Sequence, residues 1–405
     1  MKLKMALSIL GCVIILTGCW DRIELNDVSI VTGLAVDEGE NSKYRLTIEV
    51  VNASQFSKNQ MGGEAAPALT FTLEGNTISE LLHKMNIGIT RRLIFSHTRV
   101  LYISEGIAKE GIIEFIDFLD RSGQFRNDFN IMITKGEKAE AFVKVTYPIQ
   151  KVPSLKVHKQ TQSFNREWGG DPGVRLTDFI SALTSKGRNP VSATLVIKGD
   201  PKKGEKSENN MKTSVDTLVE MDGMAIFKDD RLIGYLTVDE TRNYFWTQKL
   251  KTTSMSVPCS DDEKKPEDEK YMAVTVTETH NKLKVDFTNG KPVLKVKING
   301  ETRIEATQCL NDLTKIDTYK DFEEKINRYV AKDIQETIKK VQTEFGVDIF
   351  GFGDAFNRQH HKEYKKVENN WDEVFAQAEV EVDINLHLRR SGVRGKTFIS
   401  EIPRE

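Results

Sequence analysis

The sequence predicts a multi-domain mixed α/β protein of the α+β kind, with mostly antiparallel sheets, packed helices and one long helix in its C-terminal domain. Three observations predict it. Tyr44, Leu46, Ile48 and Val50, and later Ala378, Val380, Val382, Ile384, Leu386 and Leu388, alternate with polar residues, the two-residue period of a half-buried strand. Phe322, Ile326, Tyr329, Ile334, Ile338, Val341 and Phe345 recur at helical steps, a stripe wide enough to lie across a sheet. The 405 residues, 39% hydrophobic and 29% charged, supply real cores, and at about 150 residues per domain they fill two or three.

Taken in order, Val28 to Val36 and Tyr44 to Val51 flank a turn-forming cluster at 37–42 and read as a hairpin. A loop around Met61-Gly62-Gly63 follows. Thr77 has Glu80 three residues on, the spacing of a capping box, ahead of Leu81, Leu82 and Met85. Leu93 to Ile103 reads as a strand, and Ile112, Ile113, Ile116 and Leu119 as the apolar face of a helix stopped near Gly123. Phe129 to Ile133 is a strand and Ala139 to Val145 a short helix before Pro148. Leu176 to Thr184 and Val191 to Ile197 close an N-terminal mixed α/β domain over 19–197.

Residues 198–215 hold charge, Gly, Pro, Ser and Asn and read as a polar linker. A hairpin about Lys228-Asp229-Asp230-Arg231, then a Thr237/Glu240 capping box and a helix through Trp246, make a small middle unit over 216–255. It is too small to be stable alone and is expected to pack on a neighbour. The C-terminal α+β domain spans 256–400. It contains a hairpin about Asn289-Gly290, a long helix at about 319–345 capped by Thr318 and stopped by Gly346, and the final alternating strand. Because one face of that strand is wet, antiparallel pairing is expected.

The N-terminus carries a different signal. Lys2 and Lys4 precede a nearly all-apolar run from Met5 to Leu16, followed at once by Leu16-Thr17-Gly18-Cys19. A run of about 12 residues at 1.5 Å rise cannot cross a hydrocarbon core of about 30 Å. It reads instead as the apolar part of a lipoprotein signal peptide, residues 1–18. Small residues let the extended chain enter the peptidase, which cuts between Gly18 and Cys19 after the Cys19 thiol has taken a diacylglyceryl group. Two acyl chains suffice for stable anchoring, where one holds only marginally. That lipid is the only prosthetic group expected; no cofactor is. Of the four cysteines, Cys12 leaves with the signal and Cys19 carries lipid. A bridge between Cys259 and Cys309 would close a loop of about 50 residues, and export permits it. Two free thiols are the plainer reading and the expectation.

Nothing in the chain reads as a catalytic constellation. Formal charge is −2, against a nucleic-acid binder. There is no G-x-S-x-G, H-E-x-x-H or C-x-x-C motif. Gly395-Lys396-Thr397 has Arg390 where a P-loop needs Gly, and Gly351-Phe352-Gly353 has Phe356 in place of a third Gly. His360, His361 and Glu363 lack further ligands at a metal spacing, so no metal site is expected. Asp239 and Glu240 sit where a helix N-terminus favours negative charge.

Several segments together resemble one family. They are Cys19-Trp20-Asp21-Arg22 with Glu24-Leu25-Asn26-Asp27, the strand Val31-Thr32-Gly33-Leu34-Ala35-Val36-Asp37, and Gly223-Met224-Ala225-Ile226-Phe227 leading to Gly234 through Thr241. Asp348-Ile349-Phe350-Gly351-Phe352-Gly353 and Trp371-Asp372-Glu373-Val374-Phe375 complete the set. Their order resembles the Ger(x)C family, the C-subunit lipoproteins of spore germinant receptors. The resemblance implies a three-domain, non-catalytic protein on the outer face of the spore inner membrane, beside integral-membrane A and B subunits that respond to nutrients. It assigns no germinant-contacting residue to this chain. Residues 360–364 depart from the family's usual basic and Pro-Trp-like run. The alternative reading is a solute-binding lipoprotein serving a membrane transporter, which predicts two parallel α/β lobes.

Overall fold

The computed structural model describes residues 24, 27–52, 66–169, 173–260, 270–288, 291–309, 311–313 and 315–390. Lys2, Lys4, Gly18, Cys19, the loop about Met61, the Asn289-Gly290 turn and Gly395-Lys396-Thr397 lie outside the described residues.

The N-terminal half contributes β1 (Val28–Glu38), β2 (Tyr44–Val51), β3 (Ala68–Gly75), α1 (Ile78–Met85), β4 (Arg92–Ile94) and β5 (Val100–Ser104). It continues through α2 (Glu105–Glu110), α3 (Ile113–Arg121), β6 (Asn130–Thr134), α4 (Ala139–Phe142), α5 (Pro153–Phe164), α6 (Leu176–Leu183) and β7 (Val191–Gly199). Then come β8 (Thr217–Lys228), β9 (Arg231–Leu236), α7 (Val238–Thr247), β10 (Thr253–Pro258), β11 (Tyr271–Thr288) and β12 (Lys291–Thr307). The chain finishes with α8 (Ile316–Lys340), α9 (Phe352–Gln359), α10 (Trp371–Gln377) and β13 (Glu379–Arg390).

A nine-stranded sheet runs β3-β2-β1-β5-β6-β7-β8-β9, with β4 beside the start of β1. Its middle, β1-β5-β6-β7, is parallel; β2 and β3 on one side and β8 and β9 on the other are antiparallel. A second sheet runs β10-β11-β12-β13. The mixed class expected from the sequence, with its long C-terminal helix, is what the chain adopts.

Several local expectations change. Leu93 to Ile103 is two strands, β4 and β5, separated by a turn at 96–97. β2 is covered on both faces rather than one: Thr47 and Glu49 are buried like Leu46 and Ile48. Over Glu49 the cover is the start of α5, whose polar sequence gives little helical stripe. The stretch read as a linker is folded onto the domain. Asn209, 1% exposed, donates to the carbonyls of Thr146 and Thr217 and accepts from the N–H groups of Asp216 and Thr217. The hairpin read as a middle unit instead extends the first sheet as β8 and β9.

In the last domain, β13 pairs parallel, not antiparallel, with β12. Alternation shows that one face is buried but not which way the neighbour runs. The intervening α8 supplies the crossover that a parallel pair needs. α8 starts at Ile316, ahead of Thr318, and buries Phe322, Ile326, Val330, Ile334 and Ile338. A π turn over Val341–Phe345 ends at Gly346, whose left-handed φ of 64° terminates the helix. The core under the second sheet is continuous with Met224, Ile226 and Leu236 of the first, and Phe245 and Trp246 of α7 fill the space between.

Candidate functional site

Three buried carboxylates organise the molecule, and each takes its place from backbone geometry. Asp37, at the end of β1, accepts from the N–H groups of Ala139 (2.6 Å) and Glu140 (2.8 Å), capping α4. Burial pushes its pKa up to about 6, against the pull of those two donors. Glu49 on β2 accepts from the Thr32 hydroxyl of β1 and from Ser154 N–H (3.0 Å) at the start of α5. Burial pushes it up to about 7. α5 can approach because residue 33 is Gly: a Cβ there would stand 2.0 Å from Ser154 Oγ.

Asp348 is the densest hub. Its Oδ1 accepts from the N–H groups of Phe350 and Gly351 (both 2.9 Å). Its Oδ2 accepts from Gly353 N–H (2.8 Å) and Trp371 Nε1–H (2.9 Å). Burial drives its pKa up to about 7, with those four donors opposing. No face of this carboxylate is left to take a substrate proton.

Around Asp348 the two sheets are locked together. Asn189, just before β7, donates its N–H to the Asp348 carbonyl (2.7 Å) and its amide to Asp372 (3.0 Å); Asp372 in turn accepts from Asp348 N–H (3.2 Å). Ser185 donates to Asp354 (2.7 Å) and Arg188 pairs with the same carboxylate (3.3 Å). Gly187 and Gly353 pass so closely that a Cβ on Gly353 would lie 2.6 Å from Gly187 Cα. On the other side of the joint, Thr237 and Glu240 form a capping box at α7, and Glu240 also accepts from Lys340 of α8 (2.8 Å). Asn243 of α7 donates to Thr337 (3.0 Å).

An open cleft of about 750 Å³ lies beside this joint, with Arg175, Arg188, Lys249, Lys282 and Arg358 on its walls and Asp178 as its acidic lining residue. Such a charge balance favours an anionic solute over a cationic one.

The remaining residues singled out from the sequence fall as follows. Cys259 and Cys309 are bonded, with Cα atoms 5.6 Å apart, in place of the free thiols expected. Hairpin register brings them together: Cys259 N–H donates to Lys270 O, and Gln308 N–H to Tyr271 O at the same end of the sheet. His360 lies tilted against the Phe356 ring, with centroids 6.0 Å apart, while His361 bonds the Asn357 side chain (2.8 Å). Among the described residues no group of three His, Cys, Asp or Glu is placed to hold a metal. Asp239 pairs with Arg242 (3.3 Å). Sequence reasoning missed Glu49, Asp348 and Asn189 as hubs. Asp348 did carry a signal, an Asp set two and four residues before Phe350 and Phe352 with a glycine after each, the kind of turn in which Asp bonds nearby backbone.

The fold and hubs define a two-sheet mixed α/β protein whose buried carboxylates Asp37, Glu49 and Asp348 are spent on structure. Comparison with known proteins narrows it. Residues 21–197 match the family described as "Spore germination protein N-terminal domain", and residues 222–392 match "Spore germination B3/ GerAC like, C-terminal". Spore germination protein KC of Bacillus subtilis (strain 168) is 31% identical over 400 residues, 97% of each chain. The putative spore germination protein YfkR of the same organism is 26% identical over 98% of each. The crystal structure of the GerBC protein shares the fold, with a TM-score of 0.52 at 18% identity over 88% of this chain and 96% of that one. This chain belongs to the Ger(x)C family of germinant-receptor C subunits, a non-catalytic family of spore germination proteins.

Proposed function

We propose that the chain is the lipid-anchored C subunit of a nutrient germinant receptor, tethered through Cys19 to the outer face of the spore inner membrane and working by contact with integral-membrane A and B subunits. The observation that carries this reading is the Leu16-Thr17-Gly18-Cys19 sequence placed two residues before the family match begins at 21. Such an anchor suits a chain in which, among the described residues, no helix is long and apolar enough to cross a membrane. The solute-binding alternative called for two parallel α/β lobes; the second sheet, largely a long antiparallel hairpin, is not one.

The test is germination of spores lacking this subunit across single nutrients, with A and B subunit levels followed. Loss of response to one nutrient class is expected; an unchanged response to every nutrient would remove the receptor role. In parallel, Cys19→Ala should take up no labelled fatty acid and leave most of the protein out of the membrane fraction. An unaltered membrane fraction would refute the anchor.

A further inference from the structure

At the outer edge of the first sheet, alternate residues Leu69, Phe71 and Leu73 of β3 share one face. Leu69 is 45% exposed and Leu73 37%. α1 folds back over that face, burying Leu81 and Met85, but it ends at Met85, and the chain continues through Ile87, 85% exposed, and Ile89, which is half-buried against the core with one side open to the groove. Between strand and loop lies an open groove of about 390 Å³ lined by Phe71, Leu73, Met85, Ile87 and Ile89. After Thr90 come Arg91 and Arg92; both are exposed and neither has an ion pair among the described residues. Large apolar side chains this exposed beside free cations have no structural task within the fold.

Position gives the patch its meaning. Arg92 is the pairing partner of Val28 at the start of β1. Val28 lies nine residues after Cys19, so the connecting chain reaches about 32 Å at full stretch. A lipid on Cys19 therefore keeps this corner of the domain within about 32 Å of the bilayer, whatever course the tether takes. A tether alone bounds distance but sets no orientation. A shallow apolar contact with flanking arginines would fix both, because the bilayer boundary offers hydrocarbon to Ile87 and Ile89 and phosphates to Arg91 and Arg92.

We propose that this corner is a second membrane contact, with Ile87, Ile89 and Leu73 entering the headgroup–acyl boundary of an anionic bilayer and Arg91 and Arg92 binding its phosphates. The position argument rests on the Cys19 reading above; the surface chemistry does not.

The experiment uses residues 19–405 carrying Cys19→Ser, hence without lipid, floated with protein-free vesicles of phosphatidylglycerol and phosphatidylcholine. The chain should float with anionic vesicles and largely stay behind with pure phosphatidylcholine. Each basic residue near an anionic surface strengthens binding about five-fold, so Arg91→Glu with Arg92→Glu should weaken it by at least about 25-fold. Ile87→Asp with Ile89→Asp should abolish flotation. Should either pair disturb folding by circular dichroism, Ile87→Trp serves instead, and its fluorescence should be quenched by brominated acyl chains. Equal flotation of parent and variants, no quenching at position 87, or binding that requires vesicles containing integral-membrane subunits would overturn the proposal; the last result would assign the patch to a protein partner. Because this chain carries no lipid, vesicle binding stands or falls separately from the fatty-acid labelling of Cys19.

Discussion

Glu49→Gln should stabilise the protein in alkali and do little in acid. Glu49 is fully buried, and burial raises its pKa from an ordinary 4.5 to about 7. Between those values the folded chain keeps a proton that the unfolded chain releases, so stability falls as pH rises through the window, by about 1.4 kcal/mol per unit for a full proton. Above pH 7 the buried charge costs about 3 kcal/mol; below pH 4.5 it costs nothing. Glutamine cannot titrate, yet it fits the same partners. Its oxygen accepts from Ser154 N–H, and its amide donates to the Thr32 hydroxyl, a rotor that can turn from donor to acceptor. The difference in unfolding free energy between the two proteins should therefore grow by about 3 kcal/mol between pH 4.5 and pH 8 in favour of Gln. Urea titrations of both proteins at the two pH values give that difference directly, and the titration of Asp37 and Asp348 cancels because both proteins carry them. A difference that does not change with pH would mean that Glu49 stays ionised throughout, held by Thr32 and Ser154 against its burial.

Two further outcomes follow from the second sheet and its joint. Trp371→Phe keeps a smaller aromatic ring and removes one of the four donors to Asp348; the lost donor and the cavity left by the missing pyrrole ring should together cost at least about 1–3 kcal/mol in denaturant, and no loss would show that Trp371 Nε1–H contributes nothing to the joint. Cys259→Ser with Cys309→Ser opens a loop with a sequence separation of 50, worth about 4 kcal/mol on the chain-entropy account. Equal unfolding midpoints for the parent protein with and without reductant would contradict a stabilising bridge.

What the sequence disclosed, and what it hid, divides by the range of the interaction involved. The N-cap at Thr77, the capping box at Thr237 and the glycine stop at 346 are settled within a few residues and stand in the structure, although at Thr77 only the hydroxyl half of the expected box forms, accepting from Glu80 N–H. The alternation of β13 was legible too, but its partner and direction depend on α8 carrying the chain back across the sheet. Glu49 shows the same limit from the other side. On β2 it reads as a wet-face residue between Ile48 and Val50, and only the arrival of α5, about a hundred residues later, buries it. Cysteine spacing could not decide between thiols and a bridge, because the answer lies in the register of β10, β11 and β12. Polar composition at 198–215 concealed Asn209, whose side chain replaces backbone partners that a free linker would have left to water.

Among the described residues, the segments that carried the family resemblance meet a common physical demand. Thr32, Gly33 and Asp37 hold two helices against β1. Gly223, at φ 100°, has Leu236 O where a Cβ would sit, at 2.1 Å; Gly234 does the same for the Phe345 ring, at 2.2 Å. Thr237 and Glu240 fix α7 and reach Lys340, while Asp348, Gly353 and Trp371 clamp the second sheet to the loop before β7. Each is a close approach, a cap or a buried acceptor, and none turns reactive chemistry outward. Such segments specify how the sheets are set against one another. They leave the basic cleft and the Ile87–Arg92 corner as surfaces where side chains can change without disturbing the frame.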